Sequence, residues 1–430
     1  MATVGSRRDV DYLLIGGGLA SASAAEEIRK RDTQGSILVI AAESYLPYNR
    51  PPLSKEYLRG EIDADGTYGN GGIYVQLPEW YQEQHVDVLR GTRAVSLDAT
   101  ARTVRLEDGS VVGFRMLLMA TGGRPRSLPV DGMNLQGVHL LRTVDDANAI
   151  RSQLGDGKHV VVVGSGFIGM ETAASALMKG ATVTVIEPQS RPWASMVSED
   201  VSRFFEQIFA DHGGVLRYGY TAREFVAGAD GKLARVRMSP VNSPDAIEDV
   251  TADMAIVGVG IQLNTELATS AGLETDPRHG IVVDERLETA SAGIFVAGDI
   301  AAYPDPIAGR MHFEHWDNAI ASGQAAGANM AGGDEAYRHV PYFFSDQFDL
   351  SLNMLGYPSA QANIVVRGEM AAKKFTALYV EQGILRAALM INDDEQMDLL
   401  KDLIAASAPI SDAGQLADPS FDLATLMPSD

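Results

Sequence analysis

The 430-residue sequence predicts an α/β protein with two doubly wound domains and a C-terminal α+β domain. Three observations predict it. Near the N-terminus a short apolar run, a glycine turn, an Ala/Glu-rich stretch, a second apolar run and a glutamate follow in order. The same series recurs after residue 159. Beyond about residue 332 the pattern changes to alternating runs suited to antiparallel strands.

Val10–Ile15 is an apolar run fit for a buried parallel strand. Gly16-Gly17-Gly18 makes the turn, Leu19 to Lys30 has helical composition, and Ser36–Ala41 is the next strand, ending near Glu43. The second series is Val160–Val163, then Gly164-Ser165-Gly166-Phe167-Ile168-Gly169, a helix from about Met170 to Lys179, a strand at Ala181–Ile186, and Glu187. Each series is a βαβ unit, so both domains are expected to be Rossmann-like.

Between and after them, Asp108-Gly109 joins Thr103–Glu107 to Ser110–Phe114 as a hairpin. Met116–Ala120 is a buried strand ending at Thr121-Gly122, and Ala255–Val259 and Ile294–Ala297 are two more short apolar strands. Ile364–Arg367, Lys374–Tyr379 and Leu385–Ile391 alternate as antiparallel strands do, and Asn392 is placed to cap a helix over Asp393–Ala406.

The glycine turns carry the functional reading. In Gly164-x-Gly166-x-x-Gly169 the first glycine permits a tight turn. The second lets backbone approach a pyrophosphate, and the third allows close helix–strand packing beneath a helix N-terminus. Glu187 lies 23 positions after Gly164, where a carboxylate accepts from a ribose 2′-hydroxyl and repels a 2′-phosphate. That favours NADH over NADPH, although Arg191 is close enough in sequence to hold a phosphate. The first turn has Gly16 and Gly18, with Leu19 and Ala20 opening the helix and Ser21 in the place of the third glycine. Glu43, 27 positions after Gly16, is its ribose carboxylate. Two nicotinamides would have no chemistry to share, whereas a nicotinamide delivers hydride to a flavin. The pair of turns is therefore expected to bind FAD and NADH.

Composition narrows the classes. Apolar residues are 46% and charged residues 21%, as in ordinary globular proteins, and no apolar run is long enough to span a bilayer. The N-terminus lacks a secretory pattern, so a cytoplasmic protein is expected. Lys and Arg total 35 and Asp and Glu total 57, a net charge of −22 that repels nucleic acid and anionic membranes. With no cysteine, the chain can form no disulfide, thiolate metal site or thiol relay for electrons, and no metal is expected.

These residues resemble the FAD/NAD(P)H reductases related to glutathione reductase, over nearly the whole chain. Within that superfamily the chain is similar to oxygenase-coupled ferredoxin reductases, putidaredoxin and rubredoxin reductases included, and to apoptosis-inducing factor. The marks are Tyr48 to Lys55 (YNRPPLSK), Ala120 to Arg126 (ATGGRPR), Gly164 to Glu171 (GSGFIGME), Gly293 to Ile300 (GIFVAGDI), Glu314-His315-Trp316, and Phe344 to Gln347 (FSDQ).

The resemblance implies roles. Asp299 should bond the ribityl or pyrophosphate part of FAD, with Gly298 letting backbone approach. Arg50, Ala94, Ala120, Thr121, Gly122 and Arg126 should flank FAD. Lys55 and Glu171 should pair beside flavin N5, a cation there stabilising the reduced ring. Phe167, Ile168, Gly260 and Phe344 should serve the nicotinamide nucleotide. Glu314 and His315 should lie where nicotinamide and flavin meet, and Trp316 near the flavin's pyrimidine end. Phe344 departs from the tryptophan many relatives carry there, keeping the aromatic surface and losing the indole N–H. The Gly-rich stretch Asp65–Gly72 is expected to be a flexible surface loop.

Without thiols, electrons must leave the flavin directly. The resemblance implies a small iron–sulfur protein, ferredoxin or rubredoxin, as acceptor. Quinone, oxygen or another small acceptor is an alternative, as is a redox-sensing role like that of apoptosis-inducing factor. A docking patch for an acidic carrier would draw on Arg59, Arg90, Arg93, Arg310, Arg338, Lys373 and Lys374. The protein is expected to be a monomer or homodimer. The expected domains are a discontinuous FAD domain (1–118 and 250–331), an NAD domain (119–249) and the C-terminal domain (332–430).

Overall fold

The computed structural model describes residues 7–428. They divide into two compact units. The first comprises the chain up to Arg50, Asp63–Arg124 and Gln262–Pro341; the second comprises Pro51–Ile62, Pro125–Ile261 and the chain from Tyr342 on.

The first unit is built on a parallel sheet because its central strands are apolar on both faces. Arg7–Ile15 pairs with Ile37–Ile40 on one side and Val111–Met119 on the other. Ile37–Ile40 pairs with Val86–Leu89, and Ile294–Val296 adds to Val111–Met119. The expected hairpin partner and the buried strand Met116–Ala120 are one continuous strand. The strand pairs parallel with Arg7–Ile15 along its whole length, and its first residues, Val111 to Gly113, also pair antiparallel with Thr103–Leu106 on their other side. Helix Leu19–Arg31 packs along helix Trp316–Met330. Their contact is close because Gly323 and Gly327 face the backbones of Ala20 and Ala24, where a Cβ would overlap a carbonyl.

The second unit holds a five-stranded parallel sheet in the order Val215–Tyr218, Thr182–Glu187, His159–Val163, Met254–Val257, Val138–Leu140. Its helix begins at Phe167, three residues earlier than its composition suggests, because Gly166 takes the cap position. A separate antiparallel sheet follows the order Tyr342–Gln347, Leu350–Gly356, Ile384–Ile391, Lys374–Glu381, Asn363–Glu369. The first two of these strands were not anticipated from sequence. Helix Met397–Ala405 buries Leu400, Leu403 and Ile404. Asn392 does not cap it. Its φ is +48°, its amide donates to Asp349 O and Lys373 O, and its Oδ1 accepts from Ser351 N. It closes a turn, and the helix starts five residues later.

No helix among the described residues is long and apolar enough to cross a membrane.

Candidate functional site

In the first unit, residues distant in sequence converge on the Gly16 turn. Gly16 has φ +124°, and a Cβ there would overlap the Ala120 carbonyl, so the turn lies against the end of Val111–Met119. Gly18 caps helix Leu19–Arg31 with no side-chain bond, and nothing lies within 4 Å of where its Cβ would be. The first N–H groups of that helix are therefore available to an anion. Ser21 is fully buried in the first turn and its Oγ has no hydrogen-bond partner among the described residues. Gly298, at φ +73°, approaches Ala20, and its N–H donates to Ser322 Oγ at 2.9 Å. This sets buried Asp299 beside the same helix end.

At the next strand's end, Glu43 accepts from Tyr48 Oη at 2.5 Å and from Arg50 Nη2 at 2.8 Å. Arg50 also donates to Tyr48 Oη at 2.9 Å. The chain just before Ala94 runs along this strand end, Gly91 N donating to Glu43 O and Thr92 N to Ala41 O. Thr121 is tied to Asn264: Thr121 Oγ1 donates to Asn264 O at 2.7 Å, and Asn264 Nδ2 donates to Thr121 O at 2.9 Å. His315 precedes helix Trp316–Met330, and burial pushes its imidazolium down to about 4, so the ring is neutral at neutral pH. Glu314 is exposed and contacts His312 at 3.2 Å. Trp316 Nε1 donates to Asn49 Oδ1 at 2.7 Å.

An open helix end, positive-φ glycines and an orphaned buried hydroxyl suit a pyrophosphate. Glu43 at the adjacent strand end suits a ribose. The residues present fit a dinucleotide such as FAD.

The second unit repeats the device. Gly164 has φ +102° and lies against Gly258, while a Cβ on Gly169 would overlap the Gly164 carbonyl. Gly166 caps the helix with open space before it. Glu187 is buried and accepts from Ser165 N at 2.7 Å, Ser165 Oγ at 2.9 Å and Gln189 N at 2.9 Å. The Arg191 guanidinium is bonded within its own loop and the helix that follows. It donates to Val197 O at 2.8 Å, Ala194 O at 3.0 Å and Ser202 Oγ at 2.5 Å. Phe167 stacks on Trp193 at 5.2 Å and meets Phe343 at 4.6 Å, so it packs into an aromatic cluster, while Ile168 is exposed. Arg126 stands beside Gly260, its N–H bonded to Gly260 O and its Nε to Ile261 O.

Lys55 and Glu171 meet in this unit. Nζ lies 2.9 Å from the Glu171 carboxylate, and both side chains are about 95% buried or more. Nζ also donates to Pro51 O at 3.1 Å and sits 5.4 Å from the Phe344 ring centre. Sequence reasoning missed two further donors to Glu171, Ser54 Oγ and Ser345 Oγ, the latter at 2.8 Å. Both serines lie inside the motifs already singled out, YNRPPLSK and FSDQ.

The cations named for a docking patch are divided between the units. Several are taken up by this chain's own carboxylates: Arg59 by Glu61, Lys373 by Asp349 and Lys374 by Glu395.

Comparison with known proteins agrees with this architecture. Residues 10–323 match the family model of pyridine nucleotide-disulphide oxidoreductases, and residues 342–427 match the reductase C-terminal domain. The ferredoxin–NAD(+) reductase component of the anthranilate 1,2-dioxygenase system of Burkholderia cepacia is 37% identical over 97% of this chain and 99% of its own length. The crystal structure of the ferredoxin reductase for the CYP199A2 system from Rhodopseudomonas palustris is 32% identical, with a TM-score of 0.88 over 97% of this chain and all of that one. The covalent putidaredoxin reductase–putidaredoxin complex matches at 30% identity and a TM-score of 0.89, over 97% of this chain and 98% of that one. The chain therefore belongs to the pyridine nucleotide-disulphide oxidoreductase family, with its reductase-type C-terminal domain.

Proposed function

We propose that this protein is an NADH-dependent ferredoxin-type reductase, taking hydride from NADH onto FAD and passing electrons to a small ferredoxin or rubredoxin. The observation that carries this reading is the pair of glycine turns, each opening a helix with no side-chain cap, in a chain without cysteine. Full-length relatives named as ferredoxin reductases support the acceptor.

When bound, FAD supplies the conversion of a two-electron hydride into single-electron deliveries. The chain's residues do the rest. The helix ends after Gly18 and Gly166 receive pyrophosphates. Glu43, clamped by Tyr48 and Arg50, holds one ribose, and Glu187 the other. NADH is favoured over NADPH because Glu187 would face a 2′-phosphate with like charge, and Arg191 is already bonded to backbone carbonyls. Lys55, fixed by Glu171, is the cation we assign to favouring the reduced flavin. We place the FAD domain in the first unit and the NAD domain on the parallel sheet of the second, so that Met254–Val257, expected within the FAD stretch 250–331, goes to the NAD domain, with the C-terminal domain at 332–430.

Anaerobic titration with NADH, followed by a panel of ferredoxin, rubredoxin, quinone and oxygen, tests the reading. NADH should bleach the flavin band, and an iron–sulfur carrier should restore it fastest. Faster reoxidation by quinone or oxygen would assign a small-molecule reductase. A long-wavelength band persisting in air would assign a redox sensor.

A further inference from the structure

The Gly-rich stretch expected to be a flexible loop is folded. Tyr68 N donates to Tyr74 O and Tyr74 N to Gly66 O, both at 3.0 Å. Gly66, Gly69 and Gly71 have φ between +82° and +111°, so its glycines serve tight turns. The closing limb pairs with the chain before Arg50, Asn49 N donating to Ile73 O at 2.8 Å and Val75 N to Pro47 O at 3.0 Å.

Side chains along an extended segment alternate. Tyr48 and Arg50 both reach Glu43, and Asn49 between them reaches the Trp316 indole instead. Asn49 is itself buried, and its amide donates to Ile73 O at 3.2 Å, which directs its oxygen toward the indole N–H. Tyr68 packs edge-on against Trp316, with ring centres 6.1 Å apart. Asn49, Tyr68, Tyr74 and Trp316 wall one cavity of about 200 Å³.

We infer that Asn49 and Tyr68 are positioning residues for Trp316, and that the 65–75 segment is the strap that carries Tyr68 over the indole and steadies Asn49. Its bearing on the flavin rests on the proposed function and on the resemblance, which implies that Trp316 lies near the flavin's pyrimidine end. One anchored N–H and one covered ring edge leave the indole a single orientation.

The test uses the ¹⁵N-labelled holoprotein, whose three tryptophans give three indole N–H signals, with Trp316→Phe assigning one. Asn49→Leu should shift the Trp316 signal and speed its solvent exchange about tenfold, the loss of one hydrogen bond. Asn49→Asp should keep slow exchange. Tyr68→Ala should shift the same signal, with Trp80 and Trp193 unmoved. Asn49→Leu and Tyr68→Ala should both alter the absorbance of bound flavin. An unmoved Trp316 signal in Tyr68→Ala and Asn49→Leu overturns the strap. A moved indole with an unchanged flavin spectrum overturns its bearing on the cofactor. If Asn49→Leu loses all three signals through unfolding, Tyr68→Ala decides. A wild-type protein without flavin refutes the proposed function and leaves the indole result standing.

Discussion

Lys55 Nζ stands 2.9 Å from the Glu171 carboxylate, and Ser54 and Ser345 donate to the same group. The pair comes from a short 3₁₀–helix segment and from the first turns of the helix after the Gly164 fingerprint. Removing one member strands the other's charge. Lys55→Met is expected to cost about 3–5 kcal/mol, while Lys55→Met with Glu171→Leu recovers most of the loss. Chemical denaturation of the three proteins checks this, and equal losses in single and double variants would refute it. In Lys55→Ala, a lower flavin-reduction rate or a shifted flavin potential is expected. If both are normal, Lys55 has no part in the chemistry.

Glu187→Ala should weaken NADH binding about tenfold, the scale of one charge-assisted hydrogen bond, and narrow the preference over NADPH. FAD content should be unchanged. Arg191→Ala should leave the nucleotide ratio alone, because its guanidinium is bonded to Val197 and Ala194. Dissociation constants for both nucleotides decide, and unchanged NADH affinity in Glu187→Ala means that the second fingerprint is misread.

His315 titrates near 4 in the folded chain, against an ordinary value near 6.5. Between those values the unfolded chain binds a proton that the native chain does not, so stability falls as pH drops from about 6.5 toward 4. His315→Asn should flatten that limb in melts taken at several pH values. The pH profile of flavin reduction above pH 5 should show no inflection from this ring, and an inflection abolished by His315→Asn would contradict its neutral state.

Two glycines separate the sites. A Cβ on Gly169 overlaps the Gly164 carbonyl, so Gly169→Ala should lower NADH affinity with FAD retained. A Cβ on Gly323 overlaps Ala20 O, so Gly323→Val should displace the helix that follows the Gly16 turn, costing about 1–3 kcal/mol and lowering flavin content. Loss of the same ligand in both variants would show that the turns are not independent sites.

Both βαβ series, the hairpin at Asp108-Gly109 and the last three strands were legible in sequence, because periodicity and turn chemistry are local. So was the Lys55–Glu171 pairing, through motif resemblance. What the tertiary structure decided depended on distant partners. Asn392 looked like a helix cap and instead bonds Asp349 and Ser351, which only sheet pairing brings near. Met254–Val257 joins the second parallel sheet, since register with His159–Val163 cannot be read from four apolar residues. Arg191 was ambiguous until its carbonyl partners were known, and the Gly-rich stretch looked flexible until Tyr68 met Trp316, 248 positions later. Sequence determined which groups the chain could offer to two dinucleotides. Folding determined which of those groups were already bonded to the protein itself, because a hydrogen bond depends on distance in space and not on separation along the chain.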